Sequence, residues 1–173
     1  MYRKNVCVVI FNEDLNFLAC QRLHQKEYQF VQGGIESKDD GDNVLNAAYR
    51  EVREEIGLER YALSFVAEIP PPNGDPRAFR YTLRDGANLR RFGYIGQEQR
   101  LLLFFTPAQN IHKMSVIPPP DTDALQEFAR VVWMPIEEIV ERCPAEKRHI
   151  FHAVATLAPP LARAFLQKKD SAL

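Results

Sequence analysis

The stretch that decides the fold is residues 33–58, GGIESKDDGDNVLNAAYREVREEIGL, in which a glycine pair leads through a polar loop into a helical pattern. From Asn43 to Ile56 the apolar residues recur with the period of an α-helix and form one face. Asp42 stands where an N-cap is expected, and Gly57 stands where a helix ends in a left-handed residue. The apolar face consists of Val44, Leu45, Ala48, Val52 and Ile56. The stretch therefore predicts a loop followed by an amphipathic helix.

Three glutamates crowd onto one side of this predicted helix. Glu51, Glu54 and Glu55 lie at i, i+3 and i+4, next to the apolar face rather than opposite it. Each like-charged pair at this spacing costs roughly 0.2–0.5 kcal/mol, and a divalent cation held by hard carboxylate oxygens removes that repulsion. The alternative is a solvated helix face whose charge Arg50 and Arg53 compensate. Spacing alone leaves both interpretations open.

The composition predicts one globular domain over residues 1–173. Of these residues 46% are hydrophobic and 26% are charged, which is ordinary for a soluble protein. A net charge of −1 provides no bulk field towards nucleic acid or an anionic membrane. No apolar run approaches transmembrane length. We therefore expect neither a DNA nor a membrane partner, whereas a local basic patch for RNA stays open.

The cysteines and the terminal residues indicate where in the cell the protein is expected. Cys7, Cys20 and Cys143 are far apart and odd in number, which fits neither a disulfide framework nor a zinc site. The amino terminus carries no signal-peptide pattern. We expect a reducing, cytoplasmic location. The end Ser171-Ala172-Leu173 is similar to a peroxisomal address without its basic middle residue, so a peroxisome or another organelle stays an alternative.

The rest of the chain alternates strand-like runs with loops. Strands are predicted at 5–11, 17–23, 28–31, 63–69, 99–106 and 129–134, and helices at 135–142 and 145–157, the last ending near Pro159-Pro160. Residues 77–94 are predicted as a long loop rich in arginine and aromatics, and residues 116–122 as a Pro-rich loop. The expected fold class is α/β, with a mixed β-sheet flanked by helices.

The second half of the opening stretch, REVREEIGL at residues 50–58, resembles the box of the Nudix hydrolases. That half reads Arg-Glu, an aliphatic, any residue, Glu-Glu, any residue, Gly and an aliphatic, and every position matches. The first half departs, because eight residues rather than the family's five separate Gly33 from the acid at Asp42, and that acid is not a glutamate. Glu36 and Asp39 are alternatives for its role. The resemblance places the Nudix box at residues 33–58.

The resemblance implies an α/β/α sandwich and a metal-dependent chemistry. In it Glu51, Glu54 and Glu55 hold Mg²⁺, for which Mn²⁺ can substitute, against a diphosphate. A bound metal neutralises phosphate oxygens and activates a water for attack on phosphorus. Arg50 is implied to fix the orientation of the glutamates by a bidentate ion pair, so Glu54 and Arg50 count among the catalytic residues.

Other stretches are similar to one branch, the RNA pyrophosphohydrolases and the asymmetric dinucleoside tetraphosphate hydrolases. Residues 28–35, YQFVQGGI, follow the branch's Trp-Gln-(Phe or Met)-Pro-Gln-Gly-Gly-Ile run with Tyr28 for Trp and Val31 for Pro. Residues 94–105, YIGQEQRLLLFF, match its Gly-Gln-x-Gln-(Lys/Arg) strand, and residues 127–134 match its Glu-Phe strand. The similarity is spread over residues 2–157, with poor alignment at 70–92 and 107–126.

The branch implies further site residues. Glu127 matches a glutamate proposed as an additional metal ligand or base, and Tyr81 matches a tyrosine that stacks on a nucleobase. The aromatic that completes the base sandwich in bacterial RNA pyrophosphohydrolases falls at Glu146, which argues against that grip on RNA. The remaining implied substrate-binding residues are Arg22, Gly33, Gly34, Gln97, Gln99, Lys147 and Arg148.

The function that this resemblance implies is hydrolysis of a phosphoanhydride bond in a nucleotide with a polyphosphate chain. The leading expectation is diadenosine tetraphosphate cleaved asymmetrically to ATP and AMP. One alternative is removal of pyrophosphate from RNA 5′ ends. Another is a Nudix-fold module that binds nucleotide or RNA with its chemistry impaired, suggested by the lengthened box loop. Housecleaning of unusual nucleotides stays open as well.

Overall fold

One mixed β-sheet organises the chain, which the computed structural model describes over residues 1–39 and 43–172. Within these residues the sheet has eight strands: Tyr2–Phe11 (β1), Phe17–Arg22 (β2), Tyr28–Gln29 (β3), Val31–Gly34 (β4), Ser64–Ile69 (β5), Arg80–Thr82 (β6), Gly96–Phe105 (β7) and Phe128–Met134 (β8). The α-helices described there are Val44–Ile56 (α1), Ile136–Arg142 (α2) and Arg148–Ser171 (α3). Short 3₁₀ turns fill much of the connecting chain.

Strand β1 lies at the centre of the sheet. It pairs parallel with β7 along its whole length, from Tyr2 opposite Gly96 to Phe11 opposite Phe105, and antiparallel with β2 and β4. The main strand order is β3-β2-β1-β7-β5, with β4 paired to β1, β6 to β7 and β8 to β2. Parallel and antiparallel neighbours in one sheet confirm the predicted mixed sheet.

The two faces of β1 carry two separate cores, because successive strand side chains point to opposite faces. Residues 7, 9 and 11 pack into the core covered by α2 and α3. Residues 6, 8 and 10 pack into the core covered by α1. Helices on both faces of the sheet confirm the expected α/β/α sandwich.

Helix α1 begins one residue later than the sequence pattern suggested. Asn43, not Asp42, is the N-cap, and its side-chain oxygen accepts hydrogen bonds from the backbone N–H groups of Leu45 and Asn46 at 2.9 and 3.1 Å. Asp42 lies outside the described residues. The helix ends as predicted at Gly57, whose φ of 68° is in the left-handed region that favours glycine.

The prediction that the last helix ends near Pro159-Pro160 is wrong. Helix α3 begins at Arg148 and continues through both prolines to Ser171. Each proline removes one helical hydrogen bond. Packing beyond the prolines outweighs this loss, because Ala162 is fully buried and Phe165 contacts the Phe105 ring at 5.3 Å between centroids. Among the described residues, no helix combines the length and the apolar composition that crossing a bilayer requires.

Several strands extend beyond their apolar runs. β1 begins at Tyr2 rather than at residue 5, and β7 begins at Gly96 rather than at residue 99. The loop predicted over residues 77–94 contains β6, which pairs with the start of β7. The hydrophobic pattern missed these parts because backbone pairing does not require apolar side chains. These polar strand ends build the cleft described next.

Candidate active site

A polar cleft of ≈ 610 Å³ lies between the start of the sheet, α1 and the chain preceding β8. Among the described residues that line it, seven carry carboxylates and four carry basic side chains. Such a cleft repels phosphate groups unless cations offset the excess of acids. The acids are Glu36, Glu51, Glu54, Glu55, Asp121, Asp123 and Glu127, and the bases are Arg3, Arg22, Lys38 and Arg50.

The glutamates of α1 do not lie on a solvated face. Glu51 and Glu55 are each only 8% exposed. Burial raises the pKa of Glu51 to about 7, against the opposing effect of the Arg50 guanidinium. Burial, followed by the charges of Glu51 and Glu127, raises the pKa of Glu55 well above its usual value. A helix whose acids served only for solubility would not bury them at this cost.

Arg50 holds this acidic face in place. Its Nε and Nη2 donate to the two carboxylate oxygens of Asp39 at 2.7 and 2.9 Å, and its Nη1 donates to Glu51 Oε1 at 2.7 Å. Nη2 also donates to the carbonyl oxygen of Gly34 at 2.9 Å, and Glu54 Oε2 lies 3.5 Å from Nη1. One guanidinium thus connects the box loop, β4 and α1, a task for which lysine has the wrong geometry.

Asp39 is the partner of Arg50 rather than a free ligand. It is 3% exposed, and its Oδ2 also accepts the backbone N–H of Glu36 at 2.8 Å. Although burial opposes ionisation, the hydrogen bonds from Arg50 and the Glu36 backbone hold the pKa of Asp39 below its usual value. Of the three acids proposed for the box position, Asp39 serves the arginine, Glu36 lines the cleft, and Asp42 falls outside the described residues.

The glycine pair makes room for charged groups. A Cβ added at Gly33 would overlap the Glu51 carboxylate, and one added at Gly34 would overlap the Arg3 guanidinium. The Glu51 carboxylate and the Arg3 guanidinium thus occupy the space that a side chain at Gly33 or Gly34 would need. This gives the two glycines a specific part in shaping the cleft.

The acids fit a hard divalent cation. Glu55 Oε2 is buried without a hydrogen-bond partner among the described residues, which a cation would remedy. In that same part of the chain, no three His, Cys, Asp or Glu side chains are placed so that they could hold a metal ion together without moving. An open set of carboxylates suits magnesium, which keeps several waters and shares phosphate oxygens. Glu51, Glu54 and Glu55 as metal ligands therefore stay a prediction.

Glu127 lines the same cleft and directly precedes β8. It is exposed to the cleft, and its backbone carbonyl accepts the Leu23 N–H at 3.1 Å, which fixes the chain at the end of β2. Its charge contributes to the raised pKa of Glu55, so the two carboxylates face the same space. The structure thus brings Glu127 to the α1 glutamates, as the branch resemblance implied.

A second cavity of ≈ 490 Å³ opens from this cleft. The two cavities share Arg22, Gln32, Gln97 and Glu127 in their linings, and we call the second the side arm. Arg22 stands at the junction and makes no salt bridge within the described residues. Its position makes it a candidate for binding phosphate oxygens.

Tyr81 and Lys147 lie in the side arm. Tyr81 is 6% exposed and Lys147 is 4% exposed. The Lys147 ammonium lies 4.7 Å from the Tyr81 ring centroid and donates to Gln29 Oε1 at 2.9 Å. Burial lowers the pKa of Lys147 to about 8. In this conformation the tyrosine ring offers little surface for a nucleobase, so base stacking on Tyr81 stays a prediction that requires the arm to open.

Two predicted glutamines form a buried network beneath the cleft. Gln97 accepts a hydrogen bond from Asn5 Nδ2 at 2.9 Å and donates to the Tyr81 hydroxyl. Gln99 donates to Asn5 Oδ1 and to Gln32 Oε1 at 2.8 and 2.7 Å. Gln97 lines the cleft, whereas Gln99 does not. Arg148 is exposed and lines neither the cleft nor the side arm.

Sequence reasoning missed several residues that shape the site. Arg3 lines the cleft, and the alternation of polar residues at the start of β1 could have placed it there. Arg84 bonds Glu146 at 2.8 Å and Glu27 at 3.1 Å across the side arm, in a region predicted as loop. The chain at 121–125, which lines the cleft, lies in a stretch that aligns poorly with the branch and gave no signal.

Comparisons with known proteins identify the family of this chain. A family model described as NUDIX domain matches residues 1–154. Nudix hydrolase 27, chloroplastic, of Arabidopsis thaliana is 32% identical over 157 residues, and the match spans 88% of this chain but only 64% of that protein. An RNA pyrophosphohydrolase of Ruthia magnifica subsp. Calyptogena magnifica is 33% identical over 144 residues, covering 81% of this chain and 74% of the relative.

Among solved structures, the E. coli dihydroneopterin triphosphate pyrophosphohydrolase is similar with a TM-score of 0.56. The sequences are 16% identical, and the match covers 90% of this chain and 98% of that one. An identity this low supports a common fold and carries no statement about substrate.

Proposed function

We infer a substrate for this chain from the premise that it belongs to the NUDIX family and is a Nudix hydrolase acting on phosphoanhydride bonds. The family membership confirms the resemblance found in residues 50–58. The proposed substrate is a dinucleoside polyphosphate, with diadenosine tetraphosphate cleaved to ATP and AMP as the specific case.

The observation that supports this substrate is the shape of the site. The acids proposed as metal ligands line a cleft that joins the side arm at Arg22 and Glu127, and Lys38 and residues 121–125 line the cleft but not the side arm. A phosphate chain with a nucleoside at each end offers one nucleoside to the side arm and the other to the part of the cleft outside it. A simple nucleoside triphosphate leaves one of these regions empty.

Each residue has a role in this proposal. Arg50 fixes Glu51 and the box loop, and Arg22 and Lys147 donate to phosphate oxygens. Glu51, Glu54 and Glu55 would hold Mg²⁺ or Mn²⁺. A bound divalent ion neutralises the phosphate oxygens and lowers the pKa of water. Glu127, which presents an exposed carboxylate to the cleft, accepts the proton of the attacking water.

A substrate panel with product identification tests the proposal. The purified protein is given diadenosine tetraphosphate, a nucleoside diphosphate sugar and 5′-triphosphorylated RNA, each with Mg²⁺ and with Mn²⁺. We expect ATP and AMP at the highest kcat/KM. Turnover of the dinucleotide no faster than that of the diphosphate sugar would refute this choice of substrate. The variant Glu54→Gln should lose activity, and full activity in that variant would contradict the metal-binding role of the α1 glutamates.

Removal of pyrophosphate from RNA 5′ ends is the second candidate. It is favoured by the relative with 33% identity, which is named an RNA pyrophosphohydrolase. The net charge of −1 argues against it because phosphate-backbone contacts usually need a basic surface. Release of inorganic pyrophosphate from triphosphorylated RNA, at a kcat/KM above that for the dinucleotide, would establish this alternative. A protein that binds these ligands without turnover would support the impaired module instead.

A further inference from the structure

Residues 115–127, which we call the strap, run from the end of α1 to the cleft. The Ser115 N–H donates to the Ile56 carbonyl at 2.8 Å, so the strap begins against the last turn of α1. Further along, Arg53 Nη2 donates to both carboxylate oxygens of Asp121 at 2.9 Å. Helix α1 therefore holds the strap at two points.

The strap is stiff between and beyond these points. Three consecutive prolines at 118–120 fix their φ angles, and the Thr122 N–H and hydroxyl both donate to the Pro119 carbonyl, at 3.1 and 2.8 Å. At its far end the Glu127 carbonyl accepts the Leu23 N–H. These contacts hold residues 121–127 in one position along the wall of the cleft.

Burial alternates along the end of the strap. Residues 121, 123, 125 and 127 are exposed, whereas 122, 124 and 126 are half-buried. This period of two indicates extended chain, in which Leu125 and Glu127 project on the same side about 6.6 Å apart. Leu125 is 81% exposed and lines the cleft. Among the described residues of that lining, it is the one large apolar side chain that is exposed.

Leu125 offers an exposed apolar surface in a cleft lined mainly by charged and polar side chains. Phosphate oxygens cannot cover this surface, whereas the flat face of a nucleobase can. Leu125 lies one side-chain repeat from Glu127 and lines the cleft but not the side arm. A nucleoside at the end of the phosphate chain that leaves the side arm would reach this position.

We propose that Leu125 forms a binding surface for the second nucleoside of a dinucleoside polyphosphate and selects substrates that carry one. The inference rests on the proposed function and adds a specificity residue in a segment that no motif marks. Arg53 pairs with Asp121 at 2.9 Å and offsets part of its repulsion of the phosphate chain, whereas the repulsion by Asp123, which also lines the cleft, has to be offset by bound cations.

The test compares two substrates that differ only in the second nucleoside, diadenosine tetraphosphate and adenosine 5′-tetraphosphate. For Leu125→Ser we expect kcat/KM to fall about 5- to 20-fold for the dinucleotide, mainly through KM, and less than about twofold for the mononucleotide. Leu125→Phe, which stays apolar, should keep the wild-type preference. The matched control is Ile117→Ser, since Ile117 is a 63% exposed apolar residue of the same strap that does not line the cleft. Ile117→Ser should leave kcat/KM unchanged for both the dinucleotide and the mononucleotide.

The outcomes separate this inference from the proposed function. If the wild-type protein turns over the dinucleotide but Leu125→Ser retains its preference for it, or loses activity equally on both substrates, Leu125 does not select the second nucleoside. If Leu125→Ser impairs only the cleavage of 5′-triphosphorylated RNA, the surface binds RNA and the proposal is overturned. If the wild-type protein does not cleave the dinucleotide at all, the proposed function fails and the inference falls with it.

Discussion

Replacing Arg50 with lysine is the sharpest test of how the acidic face of α1 is held. The guanidinium bonds Asp39 through two nitrogens, reaches Glu51 with a third, and also bonds the Gly34 carbonyl. The arginine side chain is only 17% exposed, and the Asp39 side chain only 3%. A lysine ammonium keeps the charge but can satisfy either Asp39 or Glu51, not both.

The size of the effect follows from the group left without a partner. Removing one partner of a buried ion pair costs roughly 3–5 kcal/mol. Because lysine keeps the positive charge, the cost falls at the lower end of this range, and we expect the free energy of unfolding to decrease by about 3 kcal/mol. At roughly 2–4 °C per kcal/mol for a protein of this size, Tm falls by about 6–12 °C. Since Glu51 also loses its fixed orientation, the affinity for Mn²⁺ falls about 10- to 100-fold.

Urea unfolding and Mn²⁺ titration measure the two effects separately. The matched control is Arg53→Lys, on the same helix one turn along. Arg53 pairs with Asp121 and Glu59 at the surface, so we expect its replacement to leave both measurements nearly unchanged. An Arg50→Lys protein that unfolds at the wild-type urea concentration and binds Mn²⁺ equally well would refute the account of Arg50 as the group that organises the box.

Three further predictions follow from burial at the site. The pKa of Glu51 is raised from 4.5 to about 7, so this carboxyl stabilises the folded state below pH 4.5 and loses that contribution as pH rises through 7. The free energy of unfolding of the metal-free protein should fall by on the order of 3 kcal/mol over this window. Mn²⁺ should therefore raise Tm more at pH 8 than at pH 6. Gly33→Ala should displace the flexible Glu51 carboxylate rather than the backbone, giving weaker Mn²⁺ binding in a titration with little change in Tm. Burial lowers the pKa of Lys147 from 10.5 to about 8, so the charge of this lysine disfavours folding fully below pH 8 and no longer does so above pH 10.5. Lys147→Met should therefore resist urea better than the wild type at pH 7, with the difference shrinking as pH rises from 8 to above 10.5, while KM for the polyphosphate substrate rises.

The local parts of the site could be predicted from the sequence. The spacing of Glu51, Glu54 and Glu55 placed them on one helix face because the period of a helix is a local property. The position of that face beside the apolar residues left a solvated face and a cation site both open, and the structure buries Glu51 and Glu55. Arg50 was predicted to orient the glutamates, and it bonds Glu51 directly.

Contacts between distant segments could not be predicted in this way. Nothing in the sequence pairs Asp39 with Arg50 rather than with a metal, since the choice depends on how the lengthened box loop folds back. The side arm depends on Lys147 reaching Gln29 from the start of α3, across 118 positions of sequence. Tyr81 was placed in a loop, whereas pairing with β7 makes it part of a strand and buries its ring.

By itself the sequence determined the family, the mixed sheet between helices and the acidic face of α1, because motifs and side-chain periodicity depend only on residues close together in the chain. The tertiary structure alone decided where α3 ends, since burial of Ala162 and Phe165 outweighs the two prolines. It also decided which side chains share the cleft with the glutamates. Arg3, Glu127 and Leu125 meet there because β1, β2 and α1 hold their segments together, and such long-range packing leaves no periodic mark in the sequence.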